Sequence, residues 1–88
     1  MTTPLPKTLT VKGFKLVQQQ RKGNVAIYSK AKGDHVEYEV ILVTTKAGNP
    51  PVEQYPVDMA WGTNGWSYPT LDDAVRKFET EVYLEETD

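Results

Sequence analysis

The stretch from His35 to Val43 constrains the fold more than any other part of this chain. Val36, Tyr38, Val40 and Leu42 alternate onto one face while His35, Glu37 and Glu39 take the other, and at Ile41 and Val43 the second face turns apolar too. Successive side chains of a strand point to opposite faces, so this pattern predicts a strand whose second half is central in a sheet and covered on both sides. Something must therefore lie against each face.

The flanking segments supply partners. Arg21-Lys22-Gly23-Asn24 reads as a hairpin turn into Val25-Ala26-Ile27-Tyr28-Ser29, and Lys32-Gly33-Asp34 as a second turn into the central strand. Upstream, Leu9 and Val11, then Phe14 and Leu16, alternate with a slip of phase at Gly13, which predicts a bulge in one continuous strand. Pro4 and Pro6 predict a loose arm over residues 1–8. Downstream, Ala47-Gly48-Asn49-Pro50-Pro51 breaks the ladder, and Val52 to Val57 forms a short edge strand, where Pro56 is tolerable.

From Thr70 the period changes to that of a helix. Thr70 is an N-cap, Asp73 stands at the third helical position to return the bond, and Asp72 places negative charge at the positive end of the helix dipole. Leu71, Ala74, Val75, Phe78 and Val82 form one apolar stripe; Asp72–Arg76 and Asp73–Lys77 are ion pairs four residues apart. Glu85, Glu86 and Asp88 load the negative end of the dipole, so residues 85–88 are expected to fray into an acidic tail. The expected architecture is α+β, in one domain over residues 1–88: an antiparallel meander of three to four strands with one C-terminal helix packed on one face.

Charge is split along the chain. Residues 1–32 carry Lys7, Lys12, Lys15, Arg21, Lys22, Lys30 and Lys32 and no acid, whereas beyond residue 47 Arg76 and Lys77 stand against nine acids. Two solvated surfaces of opposite sign account for this, and so does a docking face. The chemistry excluded is broader. With one histidine and no cysteine the chain lacks a zinc ligand set, and His35 beside Asp34 has no nucleophile at a recognisable spacing. Glu37 and Glu39 read as cross-strand partners for Lys15 or Lys30 rather than as paired catalytic carboxylates. No cofactor, metal or catalytic residue is expected. The longest apolar run, Val40 to Val43, is too short for a membrane span, and the N-terminus does not read as a signal peptide, so a cytoplasmic location is expected.

The segment Trp61-Gly62-Thr63-Asn64-Gly65-Trp66-Ser67-Tyr68 holds both tryptophans and the sole Asn-Gly. With Asn64-Gly65 at the centre of a type I′ turn, Thr63 faces Trp66 and Trp61 lies opposite Tyr68. Trp66 would then plug the gap between helix and sheet, while an exposed Trp61 would serve as a binding surface. Rings at Tyr28, Tyr38, Tyr55, Tyr68, Trp61 and Trp66 beside lysines are also the means by which single-stranded nucleic acid is stacked.

Tyr38-Glu39-Val40, Tyr55-Pro56, Trp61-Gly62-x-x-Gly65-Trp66-x-Tyr68 and a helix with Ala74 and Lys77-Phe78 together resemble small uncharacterised proteins of phage and bacterial genomes, over roughly residues 25–80. That resemblance implies a phage-related accessory factor that binds and inhibits a host protein, including defence systems such as restriction or CRISPR nucleases. The expected function is thus non-enzymatic protein binding, with Trp61 and Tyr55 as anchor and Asp72, Asp73 and Glu79 as charged rim. The alternative is a nucleic-acid-binding module using Lys12, Lys15, Arg21 and Lys22. A homodimer through an edge strand or an open sheet face is compatible with either.

Overall fold

The computed structural model describes residues 2–56 and 64–87. Its order is β1 (Thr8–Val11), β2 (Phe14–Lys22), β3 (Val25–Lys32), β4 (His35–Leu42), β5 (Thr44–Lys46), β6 (Val52–Gln54), β7 (Gly65–Tyr68) and α1 (Leu71–Glu86). A five-stranded antiparallel sheet runs β1-β2-β3-β4-β7, and β5 and β6 form a separate two-stranded ribbon. The α+β meander expected from the sequence is the fold, with one more strand in the main sheet.

The extra strand comes from Gly13. Lys12 and Gly13 both have positive φ, 53° and 84°, which is the requirement of a type I′ hairpin turn. Gly13 therefore reverses the chain, pairing Val11 with Phe14, instead of bulging a continuous strand. A bulge does exist, but it lies between Gln18 and Gln20 opposite Tyr28 and Ile27. The other two predicted turns are present at Gly23-Asn24 and Gly33-Asp34, with Gly23 and Gly33 at φ 59° and 63°.

Both faces of the central strands are covered. On one, Val25, Ile27 and Val40 are buried beneath Ala74 and Phe78 of α1, with Trp66, Val75 and Val82 packed around them. On the other, Ala26, Tyr28 and Ile41 join Leu5, Leu16 and Val43, flanked by Leu9, Val11 and Tyr55. The residues 1–8 are not a loose arm where described. Leu5 is buried in that second cluster, Thr3 bridges Val52, and the Tyr28 hydroxyl donates to the Pro6 carbonyl at 2.6 Å.

Helix α1 begins as its capping residues dictate. Thr70 Oγ1 accepts from the Asp73 amide at 3.3 Å and donates to the Asp73 carboxylate at 3.0 Å. The expected pairs four apart are replaced by Arg76–Asp73 at 3.8 Å and Lys77–Glu81 at 3.0 Å. Lys77 turns away from Asp73 because its ammonium sits 4.0 Å above the centroid of the Trp66 ring. Trp66 does fill the edge of the helix–sheet gap. Its neighbour Gly65 is the first residue of β7, opposite Ile41, and Asn64 is a turn residue just before it whose carbonyl accepts from the Leu42 amide. Gly65 thus belongs to the ladder and not to the centre of a turn. The expected partners Trp61 and Thr63 lie outside the described residues.

The frayed tail is also corrected. The helix runs through Glu86, Glu85 accepts from the Asn24 amide at 3.0 Å, and Lys22 pairs with Glu86 at 3.0 Å. A β2–β3 turn rich in donors thus offsets the unfavourable dipole charge. Gly23 fits this contact, since a Cβ there would stand 2.6 Å from Glu85 Oε1.

Phe78 closes the helix–sheet cluster and is 8% exposed. Phe78→Ala is expected to cost about 3–5 kcal/mol, against roughly 4–13 kcal/mol for a domain of 88 residues. The variant should lose its cooperative thermal transition or melt far below the wild type; retention of the wild-type transition would show that α1 is not held by this residue.

Candidate functional site

The register separates the side chains into two faces. Thr8, Val17, Ser29, Tyr38 and Tyr68 form one row across the five strands, on the side of α1. Leu9, Leu16, Lys30 and Glu37 form a row on the other side. Helix α1 lies over β3, β4 and β7. Toward β1 and β2 the same face carries the exposed side chains of Thr8, Thr10, Lys15 and Val17, and Val36 is exposed near the start of β4.

Tyr55 stands on the side away from α1. It packs against the cluster containing Tyr28 and Ile41, and its hydroxyl donates to Glu39. Glu39 is 2% exposed and also takes Lys30 Nζ at 3.4 Å, so a charge inside the fold is paired and hydrogen-bonded. Glu37 takes Lys32 at 3.0 Å, while Lys15 points to the opposite face and pairs with neither glutamate. The structure therefore does not bring Tyr55 together with Asp72, Asp73 and Glu79, which belong to α1. Trp61 lies outside the described residues. His35 is an exposed residue beside the β3–β4 turn, 3.7 Å from Asp34.

Arg21 and Lys22, both nominated for nucleic acid, are each held by a glutamate of the fold. Arg21 forms a bidentate pair with Glu53, at 2.6 and 2.7 Å, and its Nε donates to the Gly23 carbonyl. Glu53 also accepts from the Leu5 amide at 2.8 Å, which ties β2, β6 and the N-terminal arm at one carboxylate. Lys22 is held by Glu86. Lys12 and Lys15 are exposed, at the β1–β2 turn and on the open part of the face, respectively. Phe14 is also bracketed: Lys30 and Lys32 lie 4.8 and 5.8 Å from its ring centroid.

The acids of α1 are deployed differently. Residues 72, 76, 79, 83 and 86 recur at helical spacing, so Asp72, Arg76, Glu79, Tyr83 and Glu86 share one outward stripe. Tyr83 is 66% exposed within it, and Leu84 beside it is 53% exposed. A shallow hollow of about 230 Å³ next to Leu84 is lined by Leu42, Glu81, Leu84 and Glu85. The face thus combines an exposed ring with the carboxylates of Asp72, Glu79 and Glu86 and the guanidinium of Arg76, and sequence reasoning passed over Tyr83. The available signal was the 3.6-residue spacing itself, which places Tyr83 opposite the stripe of Ala74 and Phe78.

Among the described residues no group of three or more histidine, cysteine or carboxylate side chains is placed to hold a metal ion. Among them, too, no helix is long and apolar enough to cross a membrane. Comparison of the chain with protein-family models, with curated proteins and with solved structures finds no match.

The Arg21 guanidinium and the Leu5 amide hold the Glu53 carboxyl below its ordinary range, Arg21 contributing more. A depressed folded-state pKa contributes stability that is full above the unfolded value, about 4.3 for glutamate, and lost as pH falls through the folded value. Denaturant titrations between neutral and acid pH should therefore show a loss of stability below about pH 4.3 that Glu53→Gln makes shallower. An unchanged acid limb in that variant would remove Glu53 from the account.

Proposed function

We propose that this chain is a non-enzymatic protein-binding module that uses the outward stripe of α1, with Tyr83 as anchor and Asp72, Glu79 and Glu86 as rim, against a partner with a basic surface. The observation that carries this reading is an exposed tyrosine that shares one helix face with exposed carboxylates. Arg21, Lys22, Lys30 and Lys32 are paired within the fold, whereas Asp72 and Glu79 are exposed on α1 and belong to none of the ion pairs among the described residues. An exposed tyrosine within such a rim has the character of a hot spot, and the surrounding charge steers encounter with an oppositely charged surface.

The resemblance of residues 25–80 to small phage and bacterial proteins supports a host protein as the partner, met in the cytoplasm of the host cell. A nuclease of a defence system has the required chemistry, because a nucleic-acid groove is basic. In this reading the acidic stripe of α1 occupies the place of phosphates.

Tyr83→Ala should weaken capture of the partner from host lysate roughly 30-fold, about 2 kcal/mol for a hot-spot tyrosine. Glu79→Lys should slow association, and Lys12→Glu with Lys15→Glu should leave capture unchanged. Fluorescence anisotropy with labelled single- and double-stranded oligonucleotides decides against the nucleic-acid module. Tight, strongly salt-dependent binding that is abolished by the two lysine reversals and indifferent to Tyr83→Ala would overturn the proposal.

A further inference from the structure

Strand β1 is the outer strand of the sheet, and among the described residues β2 is its one strand partner. Lys7 accepts from the Gln18 amide at 2.7 Å, which makes Lys7 and Gln18 a hydrogen-bonded pair. Antiparallel ladders alternate, so Leu9–Leu16 and Val11–Phe14 are the next such pairs. The amide and carbonyl groups of Thr8 and Thr10 consequently point outward along the edge, away from β2. Proteins ordinarily blunt such an edge with a charge, a proline or a bulge inside the strand. Thr8-Leu9-Thr10-Val11 contains none of these.

The N-terminal arm leaves this edge clear. After Lys7 the chain passes under the sheet, where the Pro6 carbonyl meets the hydroxyl of Tyr28 on β3 and Leu5 is buried near Ile41. The edge is also continuous with the open part of the face on which Thr8, Thr10 and Val17 are exposed.

We propose that a second copy of this chain pairs with this edge, β1 to β1 in antiparallel fashion, around a two-fold axis at Leu9. The register is self-complementary. With Leu9 opposite its own counterpart, Thr8 of one copy faces Thr10 of the other twice over, and the outward main-chain groups of these residues form the hydrogen-bonded pairs. Threonine opposite threonine is a favourable cross-strand pair. In this register Lys7 faces Val11 and Lys12 faces Pro6, so no lysine meets a lysine across the axis. Leu9 meets its counterpart on the side of the buried cluster it already borders. The two sheets become one of ten strands, with a helix toward each end and a floor of β1 and β2 from both copies between them.

Four residues per copy make a small contact, so the association depends on concentration. Sedimentation velocity over a dilution series should show the mass rising from one chain to two. Thr10→Pro removes an outward donor without touching the β1–β2 ladder, and should hold the protein at the mass of one chain with an unchanged circular dichroism spectrum. Cysteine substitution tests the register in a chain that has none of its own. An oxidised mixture of Thr8→Cys and Thr10→Cys chains should form the mixed disulfide dimer, whereas either variant alone should not, because like positions are offset by two residues along the strand. Tyr83→Ala should leave the dimer intact, since α1 covers other strands. A wild type that stays at one chain throughout would overturn the inference. So would a dimer indifferent to Thr10→Pro, or crosslinking of either cysteine variant by itself as readily as of the mixture. Occupation of the edge by a strand of another protein would appear as a one-chain mass with the outward amides protected from exchange once that protein is added, and it too would overturn the self-pairing.

Discussion

Everything in this structure depends on β3 being buried from both sides. Val25 and Ile27 face α1, Ala26 and Tyr28 face the N-terminal arm, and all four are fully shielded from water. A domain of this size buries only about 60–65% of its unfolded surface, so it cannot leave a central strand half covered and remain folded. One helix covers one face. Among the described residues the other is covered by no helix, and it is closed by a layer of Leu5, Val43 and Tyr55 held in place by polar contacts. The Arg21–Glu53 pair, the Leu5 amide on Glu53, and the Tyr28 and Tyr55 hydroxyls each pin a piece of that layer to the sheet.

This division of labour consumes charge. Arg21, Lys30 and Lys32 are drawn into pairs beneath the sheet, and Lys22 and the Asn24 amide meet Glu86 and Glu85 at the end of α1, whereas Lys15 stays exposed on the other face. Of the acids of α1, Asp73 caps the helix and meets Arg76, while Asp72 and Glu79 remain exposed on the stripe that carries Tyr83.

The parts legible in the sequence were those fixed by local periodicity. Two-residue alternation from Val36 to Val43 gave a central strand, the spacing of Ala74 and Phe78 gave the buried face of α1, and Thr70 with Asp73 gave its start. What escaped was non-local. Pro4 and Pro6 argue against regular structure, but nothing near them announces that Leu5 is needed 36 residues away beside Ile41. At Gly13 a one-residue change of phase is equally consistent with a bulge and with a two-residue turn; positive φ at Lys12 as well as Gly13 decides it, and lysine gives no hint of that conformation. The exposure of Tyr83 follows from helical spacing, yet a helix read for its apolar stripe draws no attention to the face opposite it.

The same shortage of covering elements shapes the surfaces left open. Among the described residues one helix of 16 residues lies over β3, β4 and β7 and leaves the β1 side of that face to solvent, with Val17 38% exposed. A larger domain would close this region with a second helix. Here the open strip ends at an edge strand without charge or proline, so the route to further burial is association rather than folding. The surfaces proposed for binding on α1 and for pairing on β1 share one geometric origin: the helix lies over β3, β4 and β7, so its outer stripe and the β1 edge are well separated.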